Sequence, residues 1–247
     1  MWHILYGTRY VTGNLAEGSI AGRIVDGAVL RRSAPDVPSK DMNPWLGLPL
    51  DDYEGHMGSP GVNQLGPLAD LLGEALARLR PRSLAVLGVA GGNGLEHVDS
   101  TLTTRVVGID FNPQYLDVTR RRFPDMRGLE LHCVDLEEQL PDLEAVALVH
   151  AALVFEHAGT GRCLENAVAL VAPGGHLSVV LQLPIDGHEV VTSSPYPSMS
   201  TLAGGFSFVD PHRLRRMLAQ QGLRLTYQSR LALPTGKAFW SGYFERK

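Results

Sequence analysis

Cysteine is scarce in this sequence, and the two present, Cys133 and Cys163, lack CxxC spacing. That excludes a disulfide framework and a cysteine-built metal site, and it fits a reducing compartment. Lysine is scarcer than arginine, occurring only at positions 40, 237 and 247. The formal net charge of −4 removes the broad positive field that nucleic acid or an anionic membrane surface demands, so a small-molecule partner is expected. No apolar run approaches the ~18 residues of a spanning helix. MWHILYGTRY at the start has no apolar h-region, so a cytoplasmic protein is expected. The one tight basic cluster, Arg120, Arg121 and Arg122, reads as a solvated helix face.

Hydrophobic residues make up 44% of the chain, enough for one sizeable core. Residues 1–50 show scattered glycine and proline with no sustained period and only a weak strand signal in IAGRIVDGAVL, so they are expected to form an arm. The folded domain is expected over 51–247. Ser59 and Pro60 look like an N-cap and first helical residue, and Leu65, Leu68, Leu72, Leu76 and Leu79 supply a helical stripe that should end before Pro81. Short buried-strand candidates follow, SLAVLG, RVVGID, LELHCV, AVALVH and HLSVVLQL, separated by helical stretches. That alternation predicts an α/β fold with a parallel sheet covered on both faces. Helix starts are expected at Asn112–Pro113 and near Gly159, a helix stop at APGG (172–175), and a last helix from Asp210–Pro211 through Gln220. LRLTYQSRLAL and KAFWSGYFER then predict two closing strands joined by a turn at Pro234–Gly236.

The chemistry-bearing stretch is LAVLGVAGGNG, residues 84–94. In an open parallel sheet the ligand lies beyond the carboxyl ends of the strands, and a glycine loop there lets backbone approach it closely. The spacing of Gly88, Ala90, Gly92 and Gly94 matches a GxGxxG dinucleotide fingerprint poorly, and no lysine follows to make a phosphate-binding P-loop. Asp110 closes the second strand, where a carboxylate accepts both hydroxyls of a ribose. Its alternative role is a helix N-cap, but Asn112 before Pro113 already supplies one. Asp135, after the third strand, either accepts from an adenine amino group or forms a capping box with Glu138.

Taken in order, VLGVAGGNG, VVGIDFNP, CVDLEEQLP, LVFEHAG and LVAPGGHLSVV, followed by the two closing strands, resemble the class I S-adenosylmethionine-dependent methyltransferase family over roughly residues 60–247. The resemblance implies a Rossmann-like, doubly wound seven-stranded sheet of order 3-2-1-4-5-7-6 with the last strand antiparallel, and S-adenosyl-L-methionine as cofactor. By the same likeness Gly88, Ala90 and Gly92 line the methionine part, Asp110 takes the ribose, Phe111 flanks the adenine, and Asp135 with Leu136 closes its far side. Two positions depart from the family pattern. Val86 stands where most members carry an acid that contacts the cofactor amino group indirectly, and Ala90 stands where most have a glycine.

Methyl transfer is an in-line displacement in which alignment carries much of the rate, and a base is needed only if the nucleophile must lose a proton. The sequence lacks the NPPY or DPPY of base amino-methyltransferases after the fourth strand, and any Pro-Cys pair for cytosine C5 chemistry. His150, Glu156 and His157 stand at or after that strand, with His150 and His157 the candidates for proton transfer; FEH alternatively stabilises a loop or helix start. Tyr53 and His56 in DDYEGHM, 51–57, either form part of a lid at the acceptor or pack as an ordinary aromatic turn. The long insertion SSPYPSMSTLAGGFSF, 193–208, has the length of a functional lid. The expected function is methylation of a small molecule. A non-catalytic cofactor-binding protein is an alternative that Val86 supports, and a nicotinamide-dependent oxidoreductase is a further one that the poor GxGxxG match disfavours.

Overall fold

The structure, a computed structural model, describes residues 43–187 and 189–247. The weak strand signal at 20–30 and most of the expected arm lie outside them. Seven strands, β1 (Ser83–Leu87), β2 (Arg105–Asp110), β3 (Leu129–Cys133), β4 (Val146–Ala152), β5 (Val171–Gln182), β6 (Leu223–Ala232) and β7 (Ala238–Arg246), form one sheet. Its order is β3-β2-β1-β4-β5-β7-β6. β1 pairs in parallel with β2 and β4, and β7 alone runs antiparallel, to both β5 and β6. This is the topology the resemblance implied.

Six α-helices accompany the sheet among the described residues: α1 (Leu50–Gly58), α2 (Leu65–Leu79), α3 (Pro113–Arg122), α4 (Phe155–Ala158), α5 (Arg162–Ala169) and α6 (Pro211–Gln220). The inner residues of β1 alternate between two apolar layers because successive strand side chains face opposite ways. Leu84 and Val86 pack with Leu72, Ala75 and Leu76 of α2 and Leu116 of α3. Ala85 and Leu87 join Leu164 of α5 and Leu214 and Leu218 of α6 on the other face. Each fully buried leucine stabilises the fold by roughly 1.5–3 kcal/mol, so the helical stripe read from the sequence is what fastens α2 to the sheet.

Three boundaries differ from expectation. The helix expected to start at Ser59–Pro60 starts at Leu65, because DDYEGHM is itself the body of α1 and Ser59 closes that helix, donating from Oγ to His56 O. Asp51 and Asp52 in the first turn of α1 complement its dipole. The helix expected to start near Gly159 starts at Arg162, and a separate short helix, α4, ends just before Gly159. APGG lies inside β5 rather than stopping a helix: α5 ends at Ala169, and the four residues are accommodated where the β4–β5 register shifts between Val146↔Val171 and Leu148↔His176. Asn112 and Asp210 cap α3 and α6 as expected, their carboxamide and carboxylate oxygens accepting backbone N–H groups.

Candidate active site

The glycine loop leaves the carboxyl end of β1, the strand at which the parallel order reverses. Its left-handed residues alternate: Gly88 at φ 62°, Ala90 at 47°, Gly92 at 87° and Gly94 at 90°. This every-second-residue pattern is why the glycines do not fit GxGxxG. Ala90 sits where a Cβ is strained, and it is held there from both sides. Its N–H donates to Asp110 Oδ2 at 2.9 Å, and its carbonyl accepts from Thr119 Oγ1 at 2.6 Å. A Cβ on Gly92 would stand 2.5 Å from the ring of Phe123. Glycine at 92 thus suits both the positive φ there and the packing of the loop on the segment following α3.

Asp110 is 8% exposed. Its Oδ1 accepts from Asn112 N at 2.9 Å, so its two oxygens tie the end of β2 to both the glycine loop and the start of α3. Asn112 is the N-cap of α3, as expected, and Asp110 has this other structural task instead. A carboxylate has about four acceptor positions, so each oxygen retains one for a ligand. Burial pushes the carboxyl up, and the backbone donors pull it back. Beyond β3, Asp135 opens a turn rather than a capping box: its Oδ1 accepts from Glu137 N at 2.9 Å. Leu136 buries its side chain in the core, and its carbonyl accepts from Asn166 Nδ2. Phe111 is half-buried between these elements, its carbonyl accepting from the Cys133 thiol.

The covering elements come from α1, the turn before it and the insertion. Trp45 stacks edge-on with Tyr53 and with His157 at centroid separations of 5.4 and 4.9 Å, and His157 continues to Phe206 at 5.2 Å. Trp45 O accepts from Asn112 Nδ2, and Leu48 O from the Tyr115 hydroxyl, which fixes this turn on α3. Burial, with the nearby charges of Asp110 and Glu54, pushes the Tyr53 hydroxyl up to about 12. Burial lowers His157 to about 4, so it is neutral at pH 7. His56 Nδ1 lies 2.8 Å from Ser194 Oγ and Asp52 accepts from Ser198 Oγ at 2.6 Å, which joins α1 to the insertion. The ring of Tyr196 fills the space that a side chain at Gly55 would need. Glu54 pairs with both terminal nitrogens of Arg122, and Arg122 also donates to Gly91 O at 3.0 Å, so α1 is latched to α3 across the glycine loop.

Of the sequence candidates, Gly88, Ala90, Gly92 and Asp110 converge, with Tyr53 and His157 in the cover beside them. His150 does not join them. It lies in the sheet opposite Val86 and Ser178, with Nδ1 3.1 Å from Ser178 Oγ, and burial lowers it to about 4. Trp45, Phe206 and the Glu54–Arg122 pair were not singled out from the sequence. Val86 packs in the apolar layer against α2, and Glu54 is the carboxylate that stands over the loop instead. Among the described residues no three His, Cys, Asp or Glu side chains gather as a metal site, and no helix is long and apolar enough to cross a membrane.

Residues 86–177 match the family model for the methyltransferase domain. The sheet order above is the one that the resemblance to the class I S-adenosylmethionine-dependent methyltransferase family implies. The fold is similar to that of N-methyltransferase NodS from Bradyrhizobium japonicum WM9 in complex with S-adenosyl-L-homocysteine. Identity to it is 16%, over 82% of this chain and 96% of that one, at a TM-score of 0.61. Magnesium protoporphyrin IX methyltransferase ChlM from Synechocystis PCC 6803 with bound S-adenosyl-L-homocysteine is 12% identical over 80% of this chain and 94% of its own, at 0.60. The [4+2]-cyclase SpnF is 12% identical over 73% and 80%, at 0.57. At these identities the likeness is one of fold. No curated protein matches the chain.

Proposed function

We propose that this methyltransferase acts on a small molecule held between the carboxyl edge of the sheet and the cover. The observation that carries this reading is that Trp45, Tyr53, His157 and Phe206 join edge to edge beside Asp110, an aromatic cover that suits a small molecule. The cofactor, when bound, supplies an electrophilic methyl on a sulfonium. Asp110 takes the ribose hydroxyls on its remaining acceptor positions. Phe111 flanks the adenine, and Asp135 with Leu136 closes its edge. Gly88, Ala90 and Gly92 shape the loop beneath the methionine end, and Glu54 with Arg122 replaces the acid absent at Val86 by holding the amino and carboxylate groups. Tyr53 and His157 border the acceptor. His56 positions the insertion through Ser194, and His150 supports the sheet. We further place the protein in the cytoplasm, where Cys133 and Cys163 stay reduced.

Val86 favours one second reading, a protein that binds the cofactor without turning it over. Calorimetry with S-adenosylmethionine, S-adenosylhomocysteine and NAD, followed by methyl-transfer assays on a panel of small acceptors, separates these readings. Binding of the two sulfur nucleosides with turnover of an acceptor is expected. Binding with no turnover across amines, phenols, carboxylates and thiols favours the second reading, and preference for NAD sinks both.

A further inference from the structure

The geometry points to Glu156 as the group that receives the acceptor's proton, which makes the acceptor an amine or hydroxyl compound whose nucleophilic atom carries hydrogen. This rests on the cofactor reading above. Glu156 lies in the first turn of α4, which follows β4, the strand beside β1, and is 1% exposed. Its Oε1 accepts from Gln182 N, the last residue of β5, at 2.7 Å, and its backbone carbonyl accepts from Ser207 N at 2.7 Å. The polar groups around that point are paired. Gln182 Oε1 accepts from Gln64 Nε2 at 3.1 Å, Gln182 Nε2 donates to Val190 O at 3.1 Å, and Lys237 Nζ donates to the same carbonyl at 3.0 Å. Glu156 Oε2 is the exception, buried with no hydrogen-bond partner among the described residues.

Capturing the Gln182 N–H needs one oxygen, and an amide would provide it. A second buried carboxyl oxygen left unpaired opposes folding, and such groups in native structures are kept for a reason. The reason offered here is a ligand: Oε2 accepts the proton leaving the acceptor nitrogen or oxygen as that atom bonds to the methyl carbon, while the electron pair of the breaking carbon–sulfur bond goes to sulfur. Burial pushes the carboxyl up to about 8, so the free protein holds it protonated at neutral pH, and a cation placed beside it would draw it down to the ionised form that accepts a proton. The titratable groups on the surrounding elements are His157 on the same helix, His56 on α1, Lys237 before β7 and Glu189 between β5 and the insertion; Gln64 and Gln182 are neutral.

The test uses sinefungin, a cofactor analogue that carries an ammonium group in place of the methylsulfonium, against S-adenosylhomocysteine, which carries neither. Both are titrated calorimetrically at pH 7 in two buffers of different ionisation enthalpy. Wild-type protein is expected to prefer the ammonium analogue by ~10- to 100-fold and to release about one proton on binding it, because the new cation ionises Glu156. Glu156→Gln, which keeps the bond to Gln182 N, is expected to bind S-adenosylhomocysteine as wild type does while losing both the preference and the proton release. A variant that retains them overturns the proposal and leaves the cofactor reading standing. Wild-type protein that binds neither nucleoside overturns both. If the variant does not fold, infrared spectroscopy of wild type decides: a protonated-carboxyl band that disappears with the ammonium analogue and persists with S-adenosylhomocysteine supports the role, and a band unmoved by either refutes it.

Discussion

Replacing Asp110 by alanine perturbs fold and ligand together, and the two effects are separable. In the folded chain its carboxylate accepts from Ala90 N and Asn112 N, both at 2.9 Å. Truncation leaves two backbone donors unpaired near the protein interior, each costing about 1–3 kcal/mol. Burial of the charge, which raises the Asp110 carboxyl, is relieved at the same time and offsets part of the loss. A net destabilisation of roughly 2–4 kcal/mol follows, and for a domain of this size that is a fall in Tm of about 5–15 °C. Separately, loss of a charged acceptor to the ribose hydroxyls weakens cofactor binding by ~1.5–3 kcal/mol, a tenfold to hundredfold rise in Kd. Asp110→Asn, which keeps one acceptor oxygen, falls between. Thermal unfolding without ligand reads the first effect, and calorimetry with S-adenosylhomocysteine well below the variant's Tm reads the second. A wild-type Tm in Asp110→Ala refutes the structural role. A wild-type Kd in a folded variant removes Asp110 from the ribose.

Ala90→Gly should stabilise the domain by about 0.5–1 kcal/mol, since relief of a left-handed Cβ outweighs the freedom that glycine adds to the unfolded chain; denaturant unfolding checks this, and a loss of stability contradicts it. Gly92→Val should unfold or strongly destabilise the loop through collision with Phe123, and Phe123→Ala in the same chain should recover part of the loss; no recovery means the ring is not the obstacle. Glu54→Gln breaks a partly exposed ion pair worth ~0.2–1 kcal/mol to stability, so Tm should barely move. Cofactor dissociation should nevertheless quicken several-fold in stopped flow, and an unchanged rate argues against the latch.

The sheet was legible because its inner strands are short apolar runs set off by helices and turns. Asn112 and Asp210 sit where N-caps are needed, and the left-handed residues of the loop announce themselves as glycine at three of four positions. What could not be read depends on partners distant in the chain. Arg120 pairs with Asp117 on an exposed helix face, as its cluster suggested. Arg122, two residues on, instead reaches Glu54 on α1, and nothing local distinguishes the two. Trp45 lies in a stretch without period, and its value comes from contacts with Tyr53 and His157. The start of α2 was misplaced because Ser-Pro serves equally well to open a helix or to leave one; at position 59 it closes α1. In FEH the imidazole drew the functional reading, whereas the carboxylate is the group whose oxygen is left over.

The buried titratable groups give folding stability a pH optimum whose alkaline side reports on Glu156. His150 and His157 are lowered from 6.5 to about 4, and Glu156 is raised from 4.5 to about 8. Between about pH 4.5 and 6.5 the unfolded chain holds protons on both histidines and none on Glu156, while the folded chain holds one, on Glu156. The unfolded state then binds about one proton more, and stability rises with pH by about 1.4 kcal/mol per unit. His56 and His176, also lowered by burial, add to that rise, and Asp110, raised by burial, works against it. Above 6.5 the unfolded histidines are neutral and the folded chain still holds the Glu156 proton. The sign reverses, and about 2 kcal/mol is lost between pH 6.5 and 8. Glu156→Gln has no proton to surrender, so its stability should stay level over that interval while its acid limb steepens toward two protons. Urea unfolding at pH 5, 6.5 and 8 measures both limbs. An alkaline decline in the variant equal to that of wild type shows that another group titrates there and that Glu156 is already ionised in the folded protein.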